Sequence, residues 1–121
     1  MENFLSIPED RIVYHDEYFF LIRDIYPVSP GHTLIISKTL KKDYFDLSED
    51  EKQNLDKAIE KAKMLIELEY TPDGYNIGMN CGAAAGQTVF QFHCHLIPRF
   101  NGDMKNPQGG VRHCIENKGY Y

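Results

Sequence analysis

Tryptophan is absent, cysteine is scarce, and positive charge is thin and scattered in this chain of 121 residues. The missing tryptophan does not preclude a core, because 42% of the residues are apolar and a chain of this length makes one domain. There are 3 cysteines, an odd number and widely spaced, which argues against a disulfide framework and for a reducing cytoplasm. No apolar run is long enough to span a bilayer. No charged-then-apolar segment of the signal-peptide type opens the chain, and Met1-Glu2-Asn3 is expected to lead almost directly into the domain. With 13 Lys and Arg against 18 Asp and Glu, the net charge is −5, which argues against a general nucleic-acid binder. Arg99, Lys105 and Arg112 are the one local exception, and each reads first as solvated loop charge. Neither a membrane nor a nucleic acid is expected as a partner.

What is present follows an α+β order. Residues 11–15 and 18–23 read as two strands joined by Asp16-Glu17, with Pro27 and Pro30-Gly31 marking the turn beyond them. His32 to Ser37 is β-branched and apolar, a third strand. Ser48-Glu49-Asp50-Glu51 has the capping-box pattern, with Leu55, Ala58, Ile59, Ala62, Leu65 and Ile66 behind it at helical spacing. Thr71-Pro72-Asp73-Gly74 ends that helix. Tyr75 to Asn80 and Phe90 to Arg99 complete a five-stranded antiparallel sheet with one long helix. Residues 1–121 form a single domain in this reading, with residues 101–121 as a mobile, partly ordered tail.

Most of the chemistry is concentrated in Gln91-Phe92-His93-Cys94-His95-Leu96-Ile97. On a strand, side chains alternate, so Gln91, His93 and His95 share one face while Phe90, Phe92, Cys94 and Leu96 share the other. Two imidazoles side by side can attack, donate protons or bind metal, or can simply be a polar outer face. Upstream lies Gly82-Ala83-Ala84-Ala85-Gly86-Gln87-Thr88, a small-residue loop whose main-chain N–H groups can approach an anion.

The stretch from Gly86 to Arg99 resembles the signature of the histidine-triad (HIT) superfamily of nucleotide hydrolases and transferases, His-φ-His-φ-His-φ-φ with φ apolar. The resemblance extends to Asp24-Ile25-Tyr26-Pro27, to Pro30 through Ile36, and through Asn80, spanning roughly residues 11–100. Gln91 replaces the first histidine of the triad. By this resemblance His93 is the nucleophile, its ring oriented by a main-chain carbonyl at the first triad position, which a glutamine retains. His95 hydrogen-bonds the phosphate or the leaving group, so the catalytic set is His93, His95 and Gln91. The resemblance also implies that Asn80 and Thr88 contact phosphate beside Gly86 and the Gln87 amide. Asp24 would bind the ribose hydroxyls, with Ile25 and the residues around Phe4, Leu21 and Tyr26 flanking the purine. His32 lies beneath the triad strand and reads first as a satisfied core histidine, which by the resemblance also helps to position His93. An Asp before a turn also commonly caps that turn.

The expected reaction is hydrolysis of a dinucleoside polyphosphate such as diadenosine tetraphosphate through a nucleotidyl-histidine on His93. An adenosine 5′-phosphoramidate hydrolase, a nucleotidyl transferase and a non-catalytic nucleotide-binding module are the alternatives, and stoichiometric zinc would favour a metal-binding interaction domain. No structural metal is expected. Some relatives build a zinc site from an N-terminal Cys-x-x-Cys pair, and this chain has no cysteine before Cys81. Cys94 faces away from the histidines, and Mg²⁺ would enter only with a polyphosphate. A two-fold homodimer is expected from the resemblance alone.

Overall fold

Chain order in the structure, a computed structural model that describes Phe4 and residues 6–121, follows the hydrophobic patterning. Met1-Glu2-Asn3 lies outside the described residues. Strands β1 (Ile12–His15), β2 (Phe19–Arg23) and β3 (Thr33–Ser37) precede helix α1 (Glu49–Glu67), and strands β4 (Gly74–Gly78) and β5 (His93–Arg99) follow it. The strands form one antiparallel sheet in the order β1-β2-β3-β5-β4. The expected α+β fold of five antiparallel strands and one long helix is the fold observed.

Local chemistry explains the boundaries. Asp16 Oδ1 accepts from the N–H groups of Tyr18 and Phe19 at 2.9 and 2.8 Å, which closes the first hairpin. Ser48 and Glu51 make the full capping box: Ser48 Oγ accepts from Glu51 N at 3.1 Å, and Glu51 Oε1 accepts from Ser48 N at 2.7 Å. The helix stops at Glu67, earlier than Thr71, because the N–H groups of Glu69 and Tyr70 both turn back to the Ile66 carbonyl. β3 starts at Thr33, and β4 ends at Gly78, which leaves Asn80 beyond it.

The main correction concerns the entry to β5. Phe92 N–H turns away from the sheet and donates to the Lys41 carbonyl at 2.6 Å, so the regular strand begins only at His93. Phe90 consequently does not join the apolar stripe. It is 45% exposed, with Lys42 Nζ 5.7 Å from its ring centroid. Phe92, Cys94 and Leu96 form the stripe as expected.

Alternation then divides the sheet into two faces. Phe19, Leu21, Ile35, Phe92, Cys94 and Leu96 pack against Leu55, Ala58, Ala62 and Ile66 of α1 in one cluster. Each large apolar side chain fully buried there contributes about 1.5–3 kcal/mol. Phe20, Ile22, Leu34 and Ile36 form a second cluster with Phe4 on the opposite face. Leu21 therefore belongs to the helix side and cannot flank a ligand on the other; its neighbour Ile22 lines the cavity there instead.

Residues 101–121, read as a mobile tail, carry a 3-10 helix at Gly110–Cys114 and fold back on themselves. Arg112 donates to the carbonyls of Gly119 and Lys118, and the Tyr120 hydroxyl donates to the Asn106 carbonyl. Arg99 is engaged by a two-pronged contact with Asp103, at 2.9 and 2.7 Å, and by Asn76. Two of the three cations of the suspected basic patch therefore hold the fold together.

Glu51 is the buried polar keystone of this framework, and it also accepts from Thr39 Oγ1 at 2.9 Å. Burial opposes its charge, but the hydrogen bonds from Ser48 and Thr39, with Lys41 nearby, outweigh it and hold the carboxyl below its usual range. Glu51→Ala is expected to cost about 1–3 kcal/mol in urea unfolding at pH 7, more than Ser48→Ala at about 1 kcal/mol. A depressed carboxyl stabilises the fold above its unfolded value of about 4.3. The gap between parent and Glu51→Ala should thus shrink as pH falls below that value, and a constant gap would refute the charge argument.

Candidate active site

Register places both histidines on the face opposite α1. Ile36 pairs with His93 and Leu34 with His95, so the imidazoles continue the rows Phe20–Ile36 and Ile22–Leu34 of the second cluster. The rings of His93 and His95 lie 5.3 Å apart at an interplanar angle of 63°. Gln91 precedes the strand and is completely buried.

Main-chain groups assign the proton positions. His93 Nδ1 is 2.9 Å from the Gln91 carbonyl. A carbonyl only accepts, so Nδ1 carries the hydrogen and the lone pair of the neutral ring is left on Nε2. The opposite tautomer is imposed on His95. Val28 N–H donates to His32 Nδ1 at 3.2 Å, which leaves the hydrogen of neutral His32 on Nε2. That nitrogen faces His95 Nδ1 at 2.9 Å, so His95 Nδ1 accepts and its hydrogen resides on Nε2. His32 is thus the satisfied core histidine the sequence suggests, and the ring it orients is that of His95, not His93.

Electrostatics favours the neutral forms. Burial pushes His95 down to about 4, with further lowering by His93 and His32 and a smaller opposing pull from Asp24. Burial likewise lowers His32 against the attraction of Asp24, whose Oδ2 is 3.5 Å from its Nε2. The Cys94 thiol, buried on the far face, is pushed up to about 12 and takes no part.

Beside the histidines opens a cavity of about 510 Å³ lined by Phe4, Ile22, Leu34 and Val89 on the apolar side and by Asp24, Thr88, His93 and His95 on the polar side. Ile25, Tyr26, Ile7 and Arg11 complete its rim. Asp24 has a double role: Oδ1 accepts from Tyr26 N at 2.9 Å, capping the turn, while the carboxylate borders the cavity. Ile22, Leu34 and Val89 were not singled out from sequence. Strand alternation from Phe20 carried the signal for Ile22.

Other expected groups are placed differently. Gly86 has φ +97° and closes the small-residue loop after a 3-10 turn at Ala83–Ala85, a conformation that favours glycine. Gln87 is buried and its amide is fully used, accepting from Gly82 N at 2.8 Å and donating to the carbonyls of Lys42 and Val89. It shapes the loop and has no N–H left for phosphate. Asn80 and Gly86 are exposed near this loop and, like His32, do not line the cavity. Asp24, His32 and His95 each offer a ligand atom within 4.8 Å of the others, a spacing compatible with a metal. His32 and His95 already face one another across a shared hydrogen at those atoms.

Comparison with known proteins finds relatives over most of the chain. An uncharacterized HIT-like protein of Methanocaldococcus jannaschii is 39% identical over 94 residues, 77% of this chain and 71% of that one. An AP-4-A phosphorylase of Mycobacterium tuberculosis is 30% identical over 82% of this chain and 51% of its own length. A bis(5′-adenosyl)-triphosphatase of Saccharomyces cerevisiae is 30% identical over 75% of this chain and 45% of its own. The chain thus spans about half the length of these two enzymes. The crystal structure of a HIT family protein from Bacillus anthracis superposes with a TM-score of 0.71 at 41% identity, covering 76% of this chain and 65% of that one. Residues 7–102 match the HIT domain, and the chain belongs to the HIT family.

Proposed function

We propose that this protein hydrolyses dinucleoside polyphosphates, with diadenosine tetraphosphate as the type substrate, through a nucleotidyl-histidine on His93. The observation that carries this reading is the hydrogen bond from His93 Nδ1 to the Gln91 carbonyl, which leaves an Nε2 lone pair beside a cavity of nucleoside size. Attack on the α-phosphorus forms a P–N bond as the P–O bond to the polyphosphate breaks. Water then cleaves the P–N bond, releasing the mononucleotide and returning the neutral ring. His95 Nε2–H donates to the departing oxygen, and the Thr88 hydroxyl with loop N–H groups takes up charge on the phosphoryl oxygens. Asp24 receives the ribose hydroxyls while Ile22, Leu34, Val89 and Ile25 flank the base.

The relatives named as an AP-4-A phosphorylase and a bis(5′-adenosyl)-triphosphatase support the substrate class. An adenosine 5′-phosphoramidate is the second reading, favoured by His95, because an amine must receive a proton to leave and His95 Nε2 carries one. Mg²⁺ would accompany the polyphosphate. A cytoplasmic setting is supported by free thiols at Cys81, Cys94 and Cys114. Among the described residues no helix is long and apolar enough to cross a membrane. The two-fold dimer is supported by β4, which ends the sheet as an edge strand, and by the exposed Met64 on α1 and Leu68 just beyond its end.

Mixing the protein with diadenosine tetraphosphate and quenching in alkaline denaturant, which preserves P–N bonds, is expected to yield an adenylate adduct on His93 by mass spectrometry. His93→Ala should bind adenosine 5′-monophosphate yet turn nothing over. A parent protein with neither adduct nor turnover would leave only a nucleotide binder.

His95→Ala should lower kcat on the tetraphosphate by about a hundredfold, the typical cost of one donor at the reacting centre. The loss on a phosphoramidate should be larger, because its leaving amine needs the proton itself. The acid limb of the kcat/KM profile is expected to stay in place in this variant, since His95, at about 4, is neutral above that pH in the parent. A shifted limb would mean that His95 titrates in the working range.

A further inference from the structure

Gln91 occupies the position where the family signature has a histidine, and its side chain performs a task that the catalytic scheme does not use. Its Oε1 accepts from the Phe4 main-chain N–H at 2.8 Å, and its Nε2 donates to the Ser37 carbonyl at 2.6 Å. One fully buried amide therefore joins the end of β3 to Phe4, which lies near the start of the chain and 87 positions from Gln91. An amide suits this bridge because it presents an acceptor oxygen and a donor nitrogen at any pH, and each has a partner here.

The residue so captured is part of the site. The Phe4 ring stands edge-on to His93, with centroids 5.0 Å apart and planes at 72°. It is buried against Phe20, Ile22, Leu34 and Ile36, and it lines the cavity beside the two histidines. The same Gln91 holds His93 Nδ1 with its main-chain carbonyl. One residue thus anchors the nucleophile with its backbone and a wall of the cavity with its side chain.

We propose that Gln91 is a positioning residue that fastens Phe4 over the site, so that Phe4 forms one wall of the nucleoside pocket. The proposal rests on the reading of the cavity as a nucleoside site. Its consequence is a division of labour: the Gln91 carbonyl serves the chemical step, and its amide serves substrate binding. Loss of the amide should then fall mainly on KM, because any residue at position 91 retains the carbonyl.

Gln91→Met keeps the length and packing of the side chain but removes both hydrogen bonds. Without ligand, amide hydrogen exchange at Phe4, followed by NMR, should quicken by at least about tenfold in this variant, the factor set by loss of one modest hydrogen bond. Affinity for adenosine 5′-monophosphate by calorimetry should fall about tenfold in Gln91→Met and in Phe4→Ala alike, the scale expected for losing one aromatic wall. The double variant should be no weaker than either single one, because the two changes remove the same contact. In turnover, KM for diadenosine tetraphosphate should rise by more than kcat falls.

Unchanged exchange at Phe4 in Gln91→Met would overturn the proposal, as would additive losses in the double variant or a loss confined to kcat. If Gln91→Met does not fold, Phe4→Ala decides alone, and undiminished nucleotide affinity refutes the wall. A parent protein that binds no adenosine 5′-monophosphate would defeat the nucleotide reading and the pocket wall together. Quickened exchange at Phe4 would in that event still support the fastening by Gln91, which keeps the two failures distinct.

Discussion

The pairing of β5 with β3 is the constraint on which the site depends. Because Ile36 faces His93 and Leu34 faces His95, the two imidazoles emerge opposite α1, and Cys94 and Leu96 enter the core. A slip of one residue would bury both rings under the helix and expose the apolar stripe. The helix-side cluster of Leu55, Ala58, Ala62 and Ile66 therefore sets the placement of the two imidazoles indirectly, by making any other register costly.

The second requirement is that two adjacent histidines hold their protons in opposite places. The Gln91 carbonyl draws the hydrogen of His93 to Nδ1, while the relay from Val28 N–H through His32 fixes that of His95 on Nε2. A lone pair and a donor are thus presented side by side by fixed polar groups, so little reorganisation is needed when charge develops. Burial contributes by pushing His95 down to about 4, which keeps the pair from becoming two mutually repelling cations.

The substitution at the first triad position is intelligible on these terms. What His93 takes from position 91 is a backbone oxygen, available from any residue type. The side chain at that position faces a buried space where an unsatisfied polar group would cost about 1–3 kcal/mol. Glutamine meets that condition with one bond to Ser37 and one to Phe4.

Much of this was legible in the sequence. Alternation and the capping box at Ser48 and Glu51 located the strands and the helix, and the His93–His95 spacing located the site. Both are local properties, fixed by backbone periods of two and 3.6 residues. Tertiary structure decided the rest. Phe92 N–H found Lys41 and released Phe90 to solvent, Gln87 spent its amide inside its own loop, and His32 reached His95 instead of His93. Each of these outcomes is a competition for hydrogen-bond partners far apart in the chain, and no periodicity in the sequence encodes which partner wins.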